Sequence, residues 1–169
     1  MKINLNPNPH PRTDADRDAK IAEGGFGKYY TDNMVVATWD EKNGWSDAEL
    51  KAYGPIALDP ATSVLHYGQE IFEGMKAYIQ PDGGVSLFRP EANGERFIRS
   101  AERLALPALP VEDFVATVKA LVDQERQWVP KNIGESLYIR PFMIATEVGL
   151  GVRPSNQDRK STRLNSSHG

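Results

Sequence analysis

Prolines fence the middle of this chain. Pro90, Pro107, Pro110 and Pro130 are spaced so that two helices fit between them. A proline lacks the N–H that a helix interior needs, and its ring crowds the preceding turn, so it opens a helix readily and breaks one elsewhere. After Pro90, PEANGERFIRSAERLAL sets Ala92, Phe97, Ala101, Leu104 and Ala105 near helical intervals. The Asn93–Gly94 pair weakens the start, so this helix is expected to firm up only after Gly94. After Pro110, PVEDFVATVKALVDQERQW carries an apolar stripe of Phe114, Val115, Val118, Leu121 and Val122, with Glu112 and Asp113 near the positive N-terminal end. The spacing predicts helices near 91–105 and 111–127. Pro141 lies inside SLYIRPFMIATE, which otherwise reads as a strand, and so predicts an edge or bulge position there.

The remaining β signals are local. FGKYYTDNMVVATWD (26–40) is rich in aromatic and β-branched residues and reads as two short strands around Thr31–Asn33. IFEGMKAYI reads as a strand, QPDGG as a hairpin turn and VSLFR as the return strand. Strands are thus expected near 26–39, 71–79, 85–89 and 136–146, in an α+β fold with an antiparallel sheet. GWSDAELKAYGPIALDPATS (44–63) looks like loop, punctuated by Gly44, Gly54, Pro55 and Pro60. Residues 1–23 are polar and proline-rich. They read as an arm, ordered only in part, with NPNPHP extended.

Composition excludes several functions. A net charge of −3 argues against a general nucleic-acid surface. There is no cysteine, hence no thiolate chemistry and no thiolate metal site, which fits a cytoplasmic protein. The three histidines are scattered without ligand spacing. The first twenty residues contain no apolar core of a secretory signal, and no apolar run reaches the roughly 18 residues of a membrane span. GxGxxG, Walker and GxSxG motifs are absent.

Three groups of residues carry chemistry. In YGQEIFEG, Tyr67 and Phe72 lead into Gly74. Strand alternation puts Phe72, Gly74 and Lys76 on one face, where a glycine leaves room for a ligand, or else marks a bulge in a packed sheet. Lys76, in a mostly apolar setting, raises the possibility of Schiff-base chemistry. In FRPEANGERF, Arg89 and Arg96 lie near a helix start, and guanidinium forks there suit phosphate or carboxylate. A solvated basic face, continued by Arg99 and Arg103, is the alternative. In LYIRP, Tyr138 and Arg140 share a face and could clamp a carboxylate, or serve as surface ion-pair partners.

The last twelve residues change character. Asp158–His168 back-translates, in one reading frame, into a string that looks like a widely used short-read sequencing adapter, and Gln157 supplies the preceding base. The expectation is a polar arm at 1–23, a truncated domain at 24–157 and a non-native 158–169. The natural chain would then continue differently after Gln157.

Together FGKYYTDNMV, LDPATSVLHYGQEIFEGMKAY, LFRPEANGERFIRSAERLALP, WVP and SLYIRPFMIATEVGLGVRPS resemble the branched-chain amino-acid aminotransferases, pyridoxal-phosphate enzymes of fold type IV. The resemblance runs from about Phe26 to Ser155 and implies the small N-terminal domain of that fold, without the large cofactor-binding domain. It implies that Arg96 pairs with the phosphate of pyridoxal 5'-phosphate. Phe26, Tyr67, Phe72, Gly74, Tyr138 and Arg140 would shape the substrate pocket, and Leu150 and Val152 would reach toward the other subunit of a homodimer. The substrates implied are branched-chain amino acids and 2-oxo acids such as 2-oxoglutarate. A pocket of this kind separates Leu, Ile and Val poorly, because one methylene is worth only about 1–3 kcal/mol. The family's Schiff-base lysine lies in the large domain, so no catalytic lysine is assigned here, Lys76 included, and the chain alone is expected to be inactive. Two other readings are kept: another fold type IV enzyme (a D-amino-acid aminotransferase or an aminodeoxychorismate lyase), and, for the literal chain, a non-enzymatic α+β module. A domain without its partner is expected to expose apolar surface.

Overall fold

The two fenced helices form where the prolines allow. In the computed structural model, which describes residues 1–151 and 162–168, the elements run in chain order as β1 (Ile3–Asn6), α1 (Asp14–Glu23), β2 (Asn33–Ala37), β3 (Trp39–Asp40), β4 (Gly44–Trp45), β5 (Ala48–Ala52), α2 (Ser63–Tyr67), β6 (Glu70–Phe72), β7 (Met75–Ile79), β8 (Val85–Leu87), α3 (Pro90–Arg103), α4 (Val111–Gln124), a 3-10 turn (Arg126–Trp128), β9 (Leu137–Ile144) and β10 (Thr162–His168). The main sheet has the order β1-β5-β2-β10-β9-β7-β8, and β6 also pairs with β9. Every pair in it is antiparallel except β1 with β5.

Helix α3 begins at Pro90, without waiting for Gly94. A Cβ at Gly94 would lie 3.2 Å from both Phe114 Cδ1 and Val111 Cγ1. The glycine therefore lets α3 approach α4 closely, and that packing outweighs its poor helix propensity. Phe97 and Phe114 meet across the contact with ring centroids 5.3 Å apart. The apolar stripe of α4 is buried as its spacing predicts. With Val35, Leu50, Ile71, Ala77, Leu137 and Ile139 from the sheet it makes one core.

Four expectations need correction. The first half of 26–40 is not a strand, because Phe26–Lys28 make a turn, Tyr30 forms only a single bridge and the strand begins at Asn33. The segment 44–63 is not all loop. It contains β5, an interior strand whose Ala48 and Leu50 are fully buried, and AELKA shows the period-2 signal that the surrounding glycines and prolines masked. The N-terminal 23 residues hold β1 and α1, with Thr13 accepting from the Asp16 amide as the N-cap of α1. Pro141 is not on an edge strand, since β9 has neighbours on both sides.

Nor does Pro141 mark a bulge: the neighbouring strand is interrupted opposite the proline but keeps one register with β9, Phe72 facing Phe142 and Met75 facing Ile139. IFEGMKAYI splits at Glu73–Gly74 into β6 and β7, which pair with opposite ends of β9. Glu73 N–H donates to the Pro141 carbonyl at 2.8 Å across this break. The alternation survives it: Ile71, Glu73, Met75 and Ala77 are buried, while Phe72, Gly74 and Lys76 are exposed. The hairpin at 80–84 closes through Gln80 N–H to the Gly84 carbonyl, 2.8 Å. Of the segment read as foreign, Thr162–His168 supplies the strand β10 between β2 and β9.

Candidate functional site

One face of the sheet is covered by α3 and α4, and the other carries aromatic residues in the open. Phe72 is 62% exposed and Phe26 63%. They belong to one cluster. The Arg140 guanidinium lies over the Phe72 ring, 4.4 Å from its centroid. Arg140 Nε and Nη2 both donate to the Tyr138 hydroxyl, at 3.0 and 2.7 Å. The edge of Phe26 meets the Tyr138 ring with centroids 4.8 Å apart. Strand alternation on β9 puts Tyr138 and Arg140 on this face while Leu137, Ile139 and Met143 go into the core.

Gly74 belongs here for a steric reason. A Cβ on it would collide with the Tyr138 hydroxyl. Its absent side chain is the space that Tyr138 occupies, so the two positions are one feature. Because the phenol oxygen accepts twice from Arg140, its own hydrogen is left to donate outward. A guanidinium held by a phenol and an aromatic face, beside an outward O–H, suits a carboxylate lying next to an apolar group.

Tyr67 and Leu150 form a second pair, the Tyr67 hydroxyl donating to the Leu150 carbonyl. Tyr67 closes α2, and Gly68 follows at φ 61°, a left-handed cap that glycine adopts without strain. Val152 lies outside the described residues. Lys76 is exposed on the open face and stands opposite Tyr138 in the β7–β9 register. Being exposed, it is not enclosed in an apolar pocket.

Arg96 is set apart from this cluster and already paired. Its Nε and Nη2 donate to the two oxygens of Glu73, at 3.1 and 2.8 Å. Glu73 is nearly buried, while the Arg96 side chain is 56% exposed. Burial alone would push the Glu73 pKa up. The hydrogen bonds from Arg96 and Asn93 more than reverse this and hold it below the ordinary glutamate value. Arg99 and Arg103 are on the solvent side of α3, as a solvated basic face requires. The sequence reading missed Glu73 and Asn93. The signal for Glu73 was its place in the strand alternation, which puts a carboxylate on the core face, where it needs a partner.

No family model matches the chain. A probable branched-chain-amino-acid aminotransferase of Streptomyces coelicolor is 58% identical over 156 residues, covering 92% of this chain and 43% of that protein. The structure of the Escherichia coli branched-chain amino acid aminotransferase superposes with a TM-score of 0.59 at 20% identity over 79% of this chain and 40% of that one, a likeness of fold. The branched-chain aminotransferase from the thermophilic archaeon Thermoproteus uzoniensis, solved with norvaline, superposes at 0.57 with 24% identity over 80% and 40%, again a likeness of fold. The chain spans about two fifths of the length of the curated relatives it matches. Over that shared stretch the chain is similar in sequence, and in its α+β fold, to branched-chain-amino-acid aminotransferases.

Proposed function

We propose that the chain forms one wall of the active site of a longer enzyme that transfers the amino group of Leu, Ile or Val to 2-oxoglutarate with pyridoxal 5'-phosphate. The observation that carries this reading is the open sheet face, where Phe26, Phe72, Tyr138 and Arg140 combine an apolar wall with a carboxylate-matching O–H and guanidinium, Gly74 giving Tyr138 the room to lie there. Phe26 and Phe72 would contact the aliphatic side chain and exclude water, while Tyr138 and Arg140 orient the carboxylate. Tyr67 fixes the Leu150 backbone, and Leu150 and Val152 would face the other subunit of a homodimer. A cytoplasmic location fits this reading.

The residues present fit the phosphate end of the cofactor. Arg96 keeps its Nη1 amine free of protein partners among the described residues, and its side chain is more than half exposed. When bound, the cofactor would supply an electron sink for the carbanion formed at the amino acid's Cα. A covalent anchor would come from beyond this chain, since Lys76 does not have the surroundings for it.

The test is a chimera in which residues 1–157 replace the matching part of the Streptomyces coelicolor relative. Amino transfer from Leu, Ile and Val to 2-oxoglutarate is expected from the chimera and none from the 169-residue chain. A chimera that folds, binds cofactor and accepts only D-amino acids would overturn the reading.

A further inference from the structure

Glu73 is a buried carboxylate that the substrate wall does not use. It sits at the break between β6 and β7, one residue before Gly74 and on the opposite face of the sheet. Its backbone is tied to β9 through Pro141. Its side chain is held from α3 by two residues one helical turn apart, Asn93 and Arg96, which therefore project from one side of the helix. Asn93 Nδ2 donates to Glu73 Oε2 at 2.8 Å and to the Gly74 carbonyl at 3.2 Å. Arg96 donates side-on with Nε and Nη2.

A side-on pair fixes both the plane of a guanidinium and its rotation. A free arginine would sample many rotamers and would have to lose that freedom on binding an anion. Here the freedom is already lost, and the edge formed by Nη1 and the second Nη2 hydrogen points away from Glu73. The pair is close to neutral, so any anion at that edge is held by aimed N–H groups more than by net charge. The same carboxylate is one peptide bond from the glycine against which Tyr138 packs. One short segment thus fixes the distance from the Arg96 edge to the Tyr138–Arg140 clamp.

We infer that Glu73, braced by Asn93, is a positioning residue that aims Arg96 at the phosphate of the cofactor and sets its spacing from the substrate wall. This rests on the reading of Arg96 as the phosphate contact. The role goes beyond a surface ion pair, which would bring little stability at an exposed arginine.

The experiment is a titration of the 169-residue chain followed at the Arg96 Nε–H resonance. The probes are inorganic phosphate and pyridoxamine 5'-phosphate, which cannot condense with lysines, with pyridoxamine as the control lacking phosphate. Saturable shifts are expected with both phosphates and not with pyridoxamine. Glu73→Gln and Asn93→Ala are expected to broaden the resonance and weaken both phosphates roughly tenfold, the scale on which losing the support behind a ligand-binding side chain is felt. If the unaltered chain shows no phosphate response, the reading of Arg96 fails and the inference falls with it. If it responds, but both variants bind phosphate as tightly or more tightly, Arg96 acts through its charge alone and the inference fails by itself. Should Glu73→Gln not fold, Asn93→Ala decides, since it leaves the ion pair in place.

Discussion

The two faces of the sheet are built from the same strands and obey opposite rules. On β9, Leu137, Ile139 and Met143 are sealed under α3 and α4, while Tyr138 and Arg140, one step out of phase, stay accessible. On the split strand, Ile71, Met75 and Ala77 go inward, and Phe72 and Lys76 outward. A large aromatic ring therefore means different things by parity. Facing the helices, its value is the apolar area removed from water. Facing outward, it contributes little to folding and is free to meet a ligand or a covering domain.

The comparison breaks most directly with one chemical change made on each side. Phe97→Ala removes a fully buried ring packed on Phe114 and is expected to cost about 3–5 kcal/mol in urea unfolding. Phe72→Ala removes an exposed ring and is expected to stay within about 0.5 kcal/mol. Similar losses for both would mean that the open face is packed after all.

Next in size is a pH effect confined to the covered side. Glu125 is buried beyond the end of α4, where desolvation, opposed by the Asn33 amide and reinforced by Asp32, raises its pKa from 4.5 to about 7. Asp32 is itself bound by Arg12 at 2.8 Å and by the Trp128 indole at 3.0 Å. Because the folded-state pKa lies above the unfolded one, folding takes up a proton. The stability this gives is complete below pH 4.5 and is lost as pH rises through 7, by up to roughly 3 kcal/mol. Denaturant midpoints measured from pH 5 to 8 are expected to fall, and in Glu125→Gln that slope is expected to flatten.

Gly74→Ala sharpens the comparison on the open face. The added methyl must displace the Tyr138 hydroxyl, at roughly 1–3 kcal/mol for an overpacked site, and the nuclear Overhauser contact between Phe26 and Tyr138 is expected to vanish. The smallest effect belongs to α1, which buries none of its residues. Thr13→Ala is expected to cost about 1 kcal/mol, seen as faster amide exchange in α1 with little change in the global midpoint.

The covered face was the legible one. The proline spacing and the stripe from Phe114 to Val122 located both helices within a few residues, because burial repeats with a period that sequence displays. Gly94 was misjudged for the converse reason: its role depends on Phe114 and Val111 lying opposite, and propensity cannot see a neighbour. The strand β5 was missed because Gly44 and Gly54 outweighed five alternating residues. On the open face, periodicity put Phe72, Gly74 and Lys76 together but could not say why. The collision between Gly74 and Tyr138 joins residues far apart in the chain, and the Glu73–Arg96 pair joins two that local pattern treats separately. Phe26 reached the cluster from a turn, where no period applies.

Lys76 leaves a practical consequence. An exposed amine opposite Tyr138 is a built-in reporter of whatever lies over the aromatic wall. Its rate of acylation by a small amine-reactive ester, read by peptide mass mapping, measures that covering without disturbing Phe26, Phe72 or Arg140. A domain or subunit seated on this wall would shield the position, and the uncovered chain would leave it open to the reagent.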